Sequence, residues 1–287
     1  METIRDIESL RAQVHNWRKS GESIAFVPTM GNLHAGHLSL VDIAANKADH
    51  VIVSIYVNPL QFGPNEDFDC YPRTLDDDLG KLLGTGVDLV FIPDNSSIYG
   101  SDGDIAQSSF CEVPVLSDIL EGEYRPGFFR GVATVVLKLF HLVEPDIAVF
   151  GEKDFQQLLV IRKMVTDLCL PVSIISGETL RETDGLAMSS RNGYLSQSER
   201  EKSRKLYENL QRFKHLIEQG NSIDQAEEYC IEELSTAGFS VDYLTIREAS
   251  GLQQVSDDDL LAGCEMVVLA AARLGKTRLI DNIKFVC

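Results

Sequence analysis

The chain has 287 residues, 44% hydrophobic and 24% charged, with 26 basic against 44 acidic side chains. That is a globular composition with enough chain for one large domain or two smaller ones, and the net charge of −18 excludes a general basic surface for DNA or RNA. No apolar run approaches the ~20 residues of a membrane span; residues 1–8 read as charged and helical rather than as a signal peptide; and six cysteines (70, 111, 169, 230, 264 and 287) without a Cys-x-x-Cys pair point to reduced thiols in a cytoplasm, not to a disulfide or metal framework.

In chain order, residues 5–19 have a helical period, 23–28 that of a strand, and 37–48 that of a helix. Residues 50–57 are almost continuously apolar, as in a strand buried on both faces. A helix over 74–83 opening at a capping threonine and a strand over 87–92 follow. Then come a helix over 131–143, a strand over 147–150, a helix over 155–168 and a strand over 172–176. Strands alternating with helices predict a Rossmann-like parallel sheet with helices on both faces, in domain 1–176. Beyond residue 176 the pattern changes to a long charged helix over 198–219, a helix over 223–237, and strand-like runs over 241–247, 265–272 and 278–283. This predicts a smaller α+β domain, 177–287, with an antiparallel sheet.

In a parallel sheet the ligand lies beyond the carboxyl ends of the strands, and three such ends carry polar or glycine-containing loops. The first is Phe26-Val-Pro-Thr-Met-Gly-Asn-Leu-His-Ala-Gly-His37. Its strand, tight turn and helix start bring backbone N–H groups and the imidazoles of His34 and His37 to one place, where a helix N-terminus favours an anion. The second is Val57-Asn-Pro-Leu-Gln-Phe-Gly-Pro64; Asn58 and Gln61 there are either holders of substrate hydroxyls or carboxylate, or parts of a polar turn. The third is Phe150-Gly-Glu-Lys-Asp-Phe-Gln-Gln157. Lys153 suits a phosphate at a helix N-terminus, Asp154 is a helix cap or a ribose acceptor, and Gln157 lies one turn further on.

A fourth candidate, Met188-Ser-Ser-Arg191, combines hydroxyls with a guanidinium fork that can grip a polyphosphate. Arg125 and Arg130 either neutralise an anionic substrate or pair with Glu121 and Glu123. The run of acids at 76–78 reads as an acidic helix start favoured by the dipole, with a water-mediated contribution to magnesium as the alternative. The metal ligands are not assigned.

Together these motifs resemble the pantothenate synthetases (pantoate–β-alanine ligases) of the nucleotidylyltransferase superfamily. Met30-Gly-Asn-Leu-His-Ala-Gly-His37 resembles that superfamily's His-x-Gly-His signature, and Met188-Ser-Ser-Arg191 its Lys-Met-Ser-Lys-Ser loop, with Ala187 where the first lysine stands. Ala272-Arg-Leu-Gly-Lys-Thr-Arg-Leu-Ile-Asp-Asn282 closes the resemblance, which runs from about residue 20 to the end.

The resemblance implies ATP-dependent joining of (R)-pantoate to β-alanine through a pantoyl adenylate, on the path to coenzyme A. It implies Mg²⁺ with ATP as co-substrate, no tightly bound organic cofactor, a C-terminal lid and a homodimer, without nucleic acid or membrane partners. ATP would be held by Met30, Gly31, Asn32, Leu33, His34, Ala35, Gly36 and His37, by Gly151, Glu152, Lys153 and Asp154, by the backbone of Leu180, and by Met188, Ser189, Ser190 and Arg191. His34, His37 and Lys153 would be catalytic, with His37 the general acid. Gln61 and Gln157 would bind pantoate, and Gln61 would adjoin β-alanine. Phe128 stands where the family commonly has histidine, which predicts altered affinity or pH dependence and not a different reaction.

Two other readings compete at this level. A nucleotidyl transferase acting on a phosphate ester would need more cations than this chain offers. A module that senses ATP without turnover would need no second substrate pocket.

Overall fold

The computed structural model describes residues 1–64, 66–100 and 108–286. It divides into two compact units, Met1–Glu152 with Val160–Glu178, and Lys153–Leu159 with Thr179–Cys287. Cys287 itself lies outside the described residues, and Cys70, Cys111, Cys169, Cys230 and Cys264 form no disulfide among the described residues.

The first unit begins with β1 (Glu2–Ile4), α1 (Ile7–Ser20), β2 (Ile24–Thr29), α2 (Ala35–Ala45), β3 (His50–Ile55), α3 (Leu75–Leu82) and β4 (Leu89–Phe91). It continues with α4 (Asn95–Tyr99), α5 (Glu121–Tyr124), α6 (Phe128–Val143), β5 (Ile147–Gly151), α7 (Phe155–Asp167) and β6 (Ser173–Gly177), with residues 153–159 belonging to the other unit. The six strands lie in the order β1-β4-β3-β2-β5-β6, and every pair is parallel.

Residues 1–8 depart from the helical expectation. Glu2, Thr3 and Ile4 pair with Leu89, Val90 and Phe91, and this ladder overrides a weak local period. The helix starts only where the Asp6 carboxylate accepts the Ser9 N–H at 2.8 Å, and ends at Gly21 with φ 79°.

Alternation along β2 builds both sides of the core. Ala25 and Val27 pack with Val51, Val53, Leu40, Val41 and Leu82, beneath α2 and α3. Phe26 points the other way and meets Phe140 of α6 edge-on at 6.4 Å. The Phe26 ring is fully buried, and truncating it to alanine is expected to cost about 3–5 kcal/mol.

The second unit adds α8 (Gln197–Ser203), α9 (Lys205–Glu218), α10 (Ile223–Thr236), β7 (Phe239–Glu248), β8 (Glu265–Leu274) and β9 (Thr277–Val286). The three strands are antiparallel in chain order. Leu206, Leu210 and Phe213 of α9 and Ala226, Cys230 and Leu234 of α10 pack on Leu244, Val268, Ala270 and Leu279. The single long helix expected over 198–219 is two. It breaks at Arg204, beside buried Ser203, whose hydroxyl donates to the Arg200 carbonyl at 2.7 Å and so competes with the helical ladder.

Candidate active site

In the first unit, strand order reverses between β2 and β5, the topological switch point where an open α/β sheet receives its ligand. The β2–β5 ladder joins Ala25 to Ile147 and Phe26 to Ala148, and ends before the carboxyl end of either strand. Met30 and Gly31 follow β2 there, and Gly151 ends β5.

The chain leaves β2 through a turn that Asp78 and Thr29 hold. The Thr29 hydroxyl donates to the Ser54 carbonyl at 2.7 Å and accepts the Gly31 N–H at 3.2 Å. Gly31 and Asn32 are both left-handed, with φ 79° and 49°, a cost that glycine avoids and asparagine tolerates. The Asp78 carboxylate, wholly buried, accepts the N–H groups of Asn32 at 2.8 Å and Leu33 at 2.7 Å and the Thr74 hydroxyl at 3.2 Å. One turn along α3, the Lys81 ammonium donates to the Leu33 carbonyl at 2.8 Å. Of the acidic run, Asp76 and Asp77 are exposed at the helix start, whereas Asp78 braces the turn.

α2 begins two residues earlier than its period predicts, and this makes the two histidines its cap. His34 is the N-cap: its Nδ1 accepts the Gly36 N–H at 3.2 Å, while His37 Nδ1 accepts the His34 N–H at 3.3 Å. Each Nδ1 is thereby placed as an acceptor for a backbone N–H at the start of α2. The rings lie 4.1 Å apart at 40°. Both rings therefore sit at the N-terminus of α2, the end of a helix that favours an anion.

Beyond β3, Asn58 is buried and fully engaged. Its amide donates to Gln61 Oε1 at 3.0 Å and to the Gly131 carbonyl at 3.1 Å, and its Oδ1 accepts the Tyr99 hydroxyl at 2.6 Å. Burial pushes the Tyr99 phenol above its ordinary value, so it remains a neutral donor. Asn58 is therefore a support that fixes the Gln61 amide. Gly131 permits this arrangement: a Cβ there would stand 2.3 Å from the Leu60 carbonyl oxygen.

Arg125 and Arg130 pair differently from the expectation. Arg125 grips Glu66 with two bonds of 2.7 Å, donates to the Gln61 carbonyl at 2.9 Å, and stacks over the Phe128 ring at 3.7 Å. Arg130 lies 3.5 Å from Glu112, with both side chains exposed. Neither pairing was visible in sequence, because Glu66 is 59 residues from Arg125. A cavity of about 370 Å³ lies across the ends of β2, β3 and β4, lined in part by Met30, Gly31, Val57, Asp78 and Ile92.

The second unit carries the remaining candidates. The Lys153 ammonium lies 3.8 Å from the Asp154 carboxylate. The Lys153 carbonyl accepts the Asn282 amide at 2.9 Å. Residues 180–188 form a narrow ribbon in which Met188 N–H donates to the Leu180 carbonyl at 3.0 Å and Arg181 bridges Ala187. Ser189 accepts the Arg191 N–H at 3.3 Å and so caps the single turn Ser190–Tyr194.

Arg181 organises the ribbon. It holds Asp281 through bonds of 2.6 and 2.9 Å, donates to the Gly185 carbonyl at 3.0 Å, and stacks on Tyr207 at 3.8 Å. Burial pushes the Asp281 carboxyl above its ordinary value, against the pull of Arg181. No cluster of three metal-ligating side chains occurs among the described residues.

A doubly wound parallel sheet with two histidines capping the helix after its central strand defines a Rossmann-like α/β protein. The chain matches the family model described as pantoate-beta-alanine ligase over residues 2–284, and it belongs to that family. It is 50% identical to the pantothenate synthetase of Shewanella loihica and 52% identical to that of Shewanella oneidensis, each over 285 residues and 99% of both chains. The crystal structure of pantothenate synthetase from Thermus thermophilus superposes with a TM-score of 0.89 at 44% identity, covering 99% of both chains. The ligase from Francisella tularensis, complexed with beta-gamma ATP and beta-alanine, superposes at 0.81 with 33% identity, covering 99% of this chain and 97% of that one.

Proposed function

We propose that this chain joins (R)-pantoate to β-alanine at the expense of ATP, releasing AMP and pyrophosphate. The pantoate carboxylate attacks the α-phosphorus and pyrophosphate leaves. The neutral amine of β-alanine then attacks the acyl carbon of the pantoyl adenylate, and AMP departs. No protein nucleophile is required; the protein positions the reactants and stabilises charge on the phosphoryl oxygens. The observation that carries this reading is the His34–His37 pair, whose Nδ1 atoms cap α2 just beyond the carboxyl end of β2.

His34 and His37 donate from Nε2 to ATP phosphates, and His37 is the general acid. Lys153 adds a full positive charge where pyrophosphate leaves. The backbone of 30–33, Ala35 and Gly36 contacts ATP, as does Glu152; Gly151 and Asp154 hold the ribose, and Leu180 meets the adenine through its backbone. Met188, Ser189, Ser190 and Arg191 close over the phosphates. Gln61 and Gln157 hold pantoate, with Gln61 beside β-alanine. ATP and β-alanine have a precedent in the Francisella relative.

Mg²⁺ as co-substrate with ATP would supply neutralisation of phosphate charge, beside the positive charge of Lys153. Residues 1–176 bind ATP and pantoate, and 177–287 act as a lid that excludes water from the hydrolysable adenylate. The enzyme works as a homodimer in the cytoplasm, where the free cysteines stay reduced. The direct test is formation of pantothenate and AMP in equal amounts, dependent on all three substrates; AMP release without pantothenate contradicts it.

A further inference from the structure

β9 carries two consecutive buried polar residues, Asp281 and Asn282, in a strand otherwise patterned for one buried face. Side chains alternate along a strand, so Asp281 shares its face with Leu279, Ile283 and Phe285, which pack in the apolar core of this unit. An ion pair at such a position gains little stability over well-packed apolar side chains. Its contacts indicate placement instead. Arg181 uses both terminal nitrogens on Asp281, and those same nitrogens donate to the Gly185 and Asn282 carbonyls. Its guanidinium carbon also lies 3.8 Å from the centre of the Tyr207 ring, and a Cβ at Gly185 would stand 2.5 Å from that ring. The ribbon 180–188, which leads directly into Met188–Arg191, is thereby fixed to β9.

Asn282 points to the opposite face and donates its amide to the Lys153 carbonyl, 129 residues away in sequence. Its own N–H donates to Asp281 Oδ1 at 2.7 Å. Two adjacent residues of one strand therefore hold both cationic elements of the second unit, the Lys153 turn and the loop that ends in Arg191. We propose that Asp281 and Asn282 are positioning residues that set Lys153 and the Met188–Arg191 loop in register for one triphosphate. Neither touches substrate; each acts through a backbone that carries a phosphate-binding side chain. This rests on the function proposed above, which assigns both elements to ATP.

Asn282→Ala removes the bond to Lys153 and leaves the Arg181–Asp281 pair in place. The test is a double-mutant cycle on the full chain with Asn282→Ala and Lys153→Ala, read as ATP affinity by titration calorimetry and as pantoate-dependent pyrophosphate exchange. Asn282→Ala is expected to weaken both by about tenfold in the parent, through misplacement of Lys153, and to have almost no further effect once Lys153 is alanine. Equal losses in both backgrounds would overturn the proposal, because a merely structural asparagine acts whether or not the lysine is present. If the parent binds ATP but shows no exchange, the proposed reaction fails, and the affinity cycle alone decides the positioning role. If Asn282→Ala lowers the melting temperature too far, Asn282→Asp replaces it, keeping the size and losing the amide donor.

Discussion

The Asp78 carboxylate accepts the backbone N–H of Leu33 at 2.7 Å, across 45 residues of chain. With the second bond, to Asn32, it holds the turn that carries His34 to the mouth of the β2–β5 crevice. Asp78→Asn keeps the shape but turns an amide NH₂ toward a backbone N–H. An unsatisfied buried donor costs about 1–3 kcal/mol, so urea unfolding should show a loss in that range, with a raised KM for ATP. Exposed Asp76→Asn should stay within about 0.5 kcal/mol of the parent. Equal effects at the two positions would contradict the bracing role.

His34→Asn separates helix capping from phosphate binding. Asparagine is among the best N-caps, so stability should change by less than about 0.5 kcal/mol. The Nε2 donor is lost, and the adenylation rate should fall about 10²-fold, as when one preorganised donor is removed. A stable variant with the parent rate would remove His34 from the chemistry.

Gly131→Ala sets two effects against each other. Replacing a helical glycine gains about 1 kcal/mol of propensity, but the new Cβ meets a backbone oxygen at 2.3 Å. Backbone yields less readily than a side chain, and overpacking costs about 1–3 kcal/mol or more. The clash should win: urea unfolding should show net destabilisation, and the KM for pantoate should rise because Leu60 adjoins Gln61. A stabilised variant would contradict the close packing of α6 on residues 59–61.

Phe128→His places a titratable ring against the Arg125 guanidinium, now 3.7 Å from the phenyl centre. The neighbouring cation disfavours an imidazolium and pushes its pKa below the ordinary value of about 6.5. Parent and variant should perform alike near pH 8, where that imidazole is neutral, and diverge as it protonates in acid. Overlapping profiles of kcat and KM across pH would remove Phe128 from any account of affinity.

Arg200 holds Asp184 through bonds of 2.5 and 3.2 Å, and its hydrogen bonds keep the Asp184 carboxyl below its ordinary 3.8. A depressed folded-state pKa contributes stability that is complete above the unfolded value and lost as pH falls through the folded one. Denaturation midpoints of the parent should therefore fall more steeply below about pH 4 than those of Asp184→Asn, and the two curves should run parallel near neutrality.

Much of the architecture was legible because it depends on local periodicity. Residues 50–57 read as a strand buried on both faces, and β3 is the neighbour of central β2. Long-range pairing was not legible. β1 forms only because β4 offers an edge, and Arg125 finds Glu66 and not the nearer Glu121 or Glu123. Two missed residues did leave a trace. Asp78 falls at the helical spacing of Leu75, Leu79 and Leu82, an acid on an apolar face, and Asp281 alternates with Leu279, Ile283 and Phe285 in the same way. A charged residue in the buried register needs a specific partner, and in both cases that partner belongs to a loop: residues 32–33 for Asp78, and Arg181 for Asp281. The start of α2 was not legible because histidine is an uncommon cap, and that difference of two residues turns a pair of loop histidines into the cap of the helix.

The central claim is adenylation of pantoate at the His34–His37 cap, and the most direct measurement is ATP–pyrophosphate exchange with (R)-pantoate and magnesium in the absence of β-alanine. Exchange should require pantoate, and should fall sharply in His37→Ala while ATP-independent folding is retained. Folded, ATP-binding protein that gives no pantoate-dependent exchange would contradict the claim.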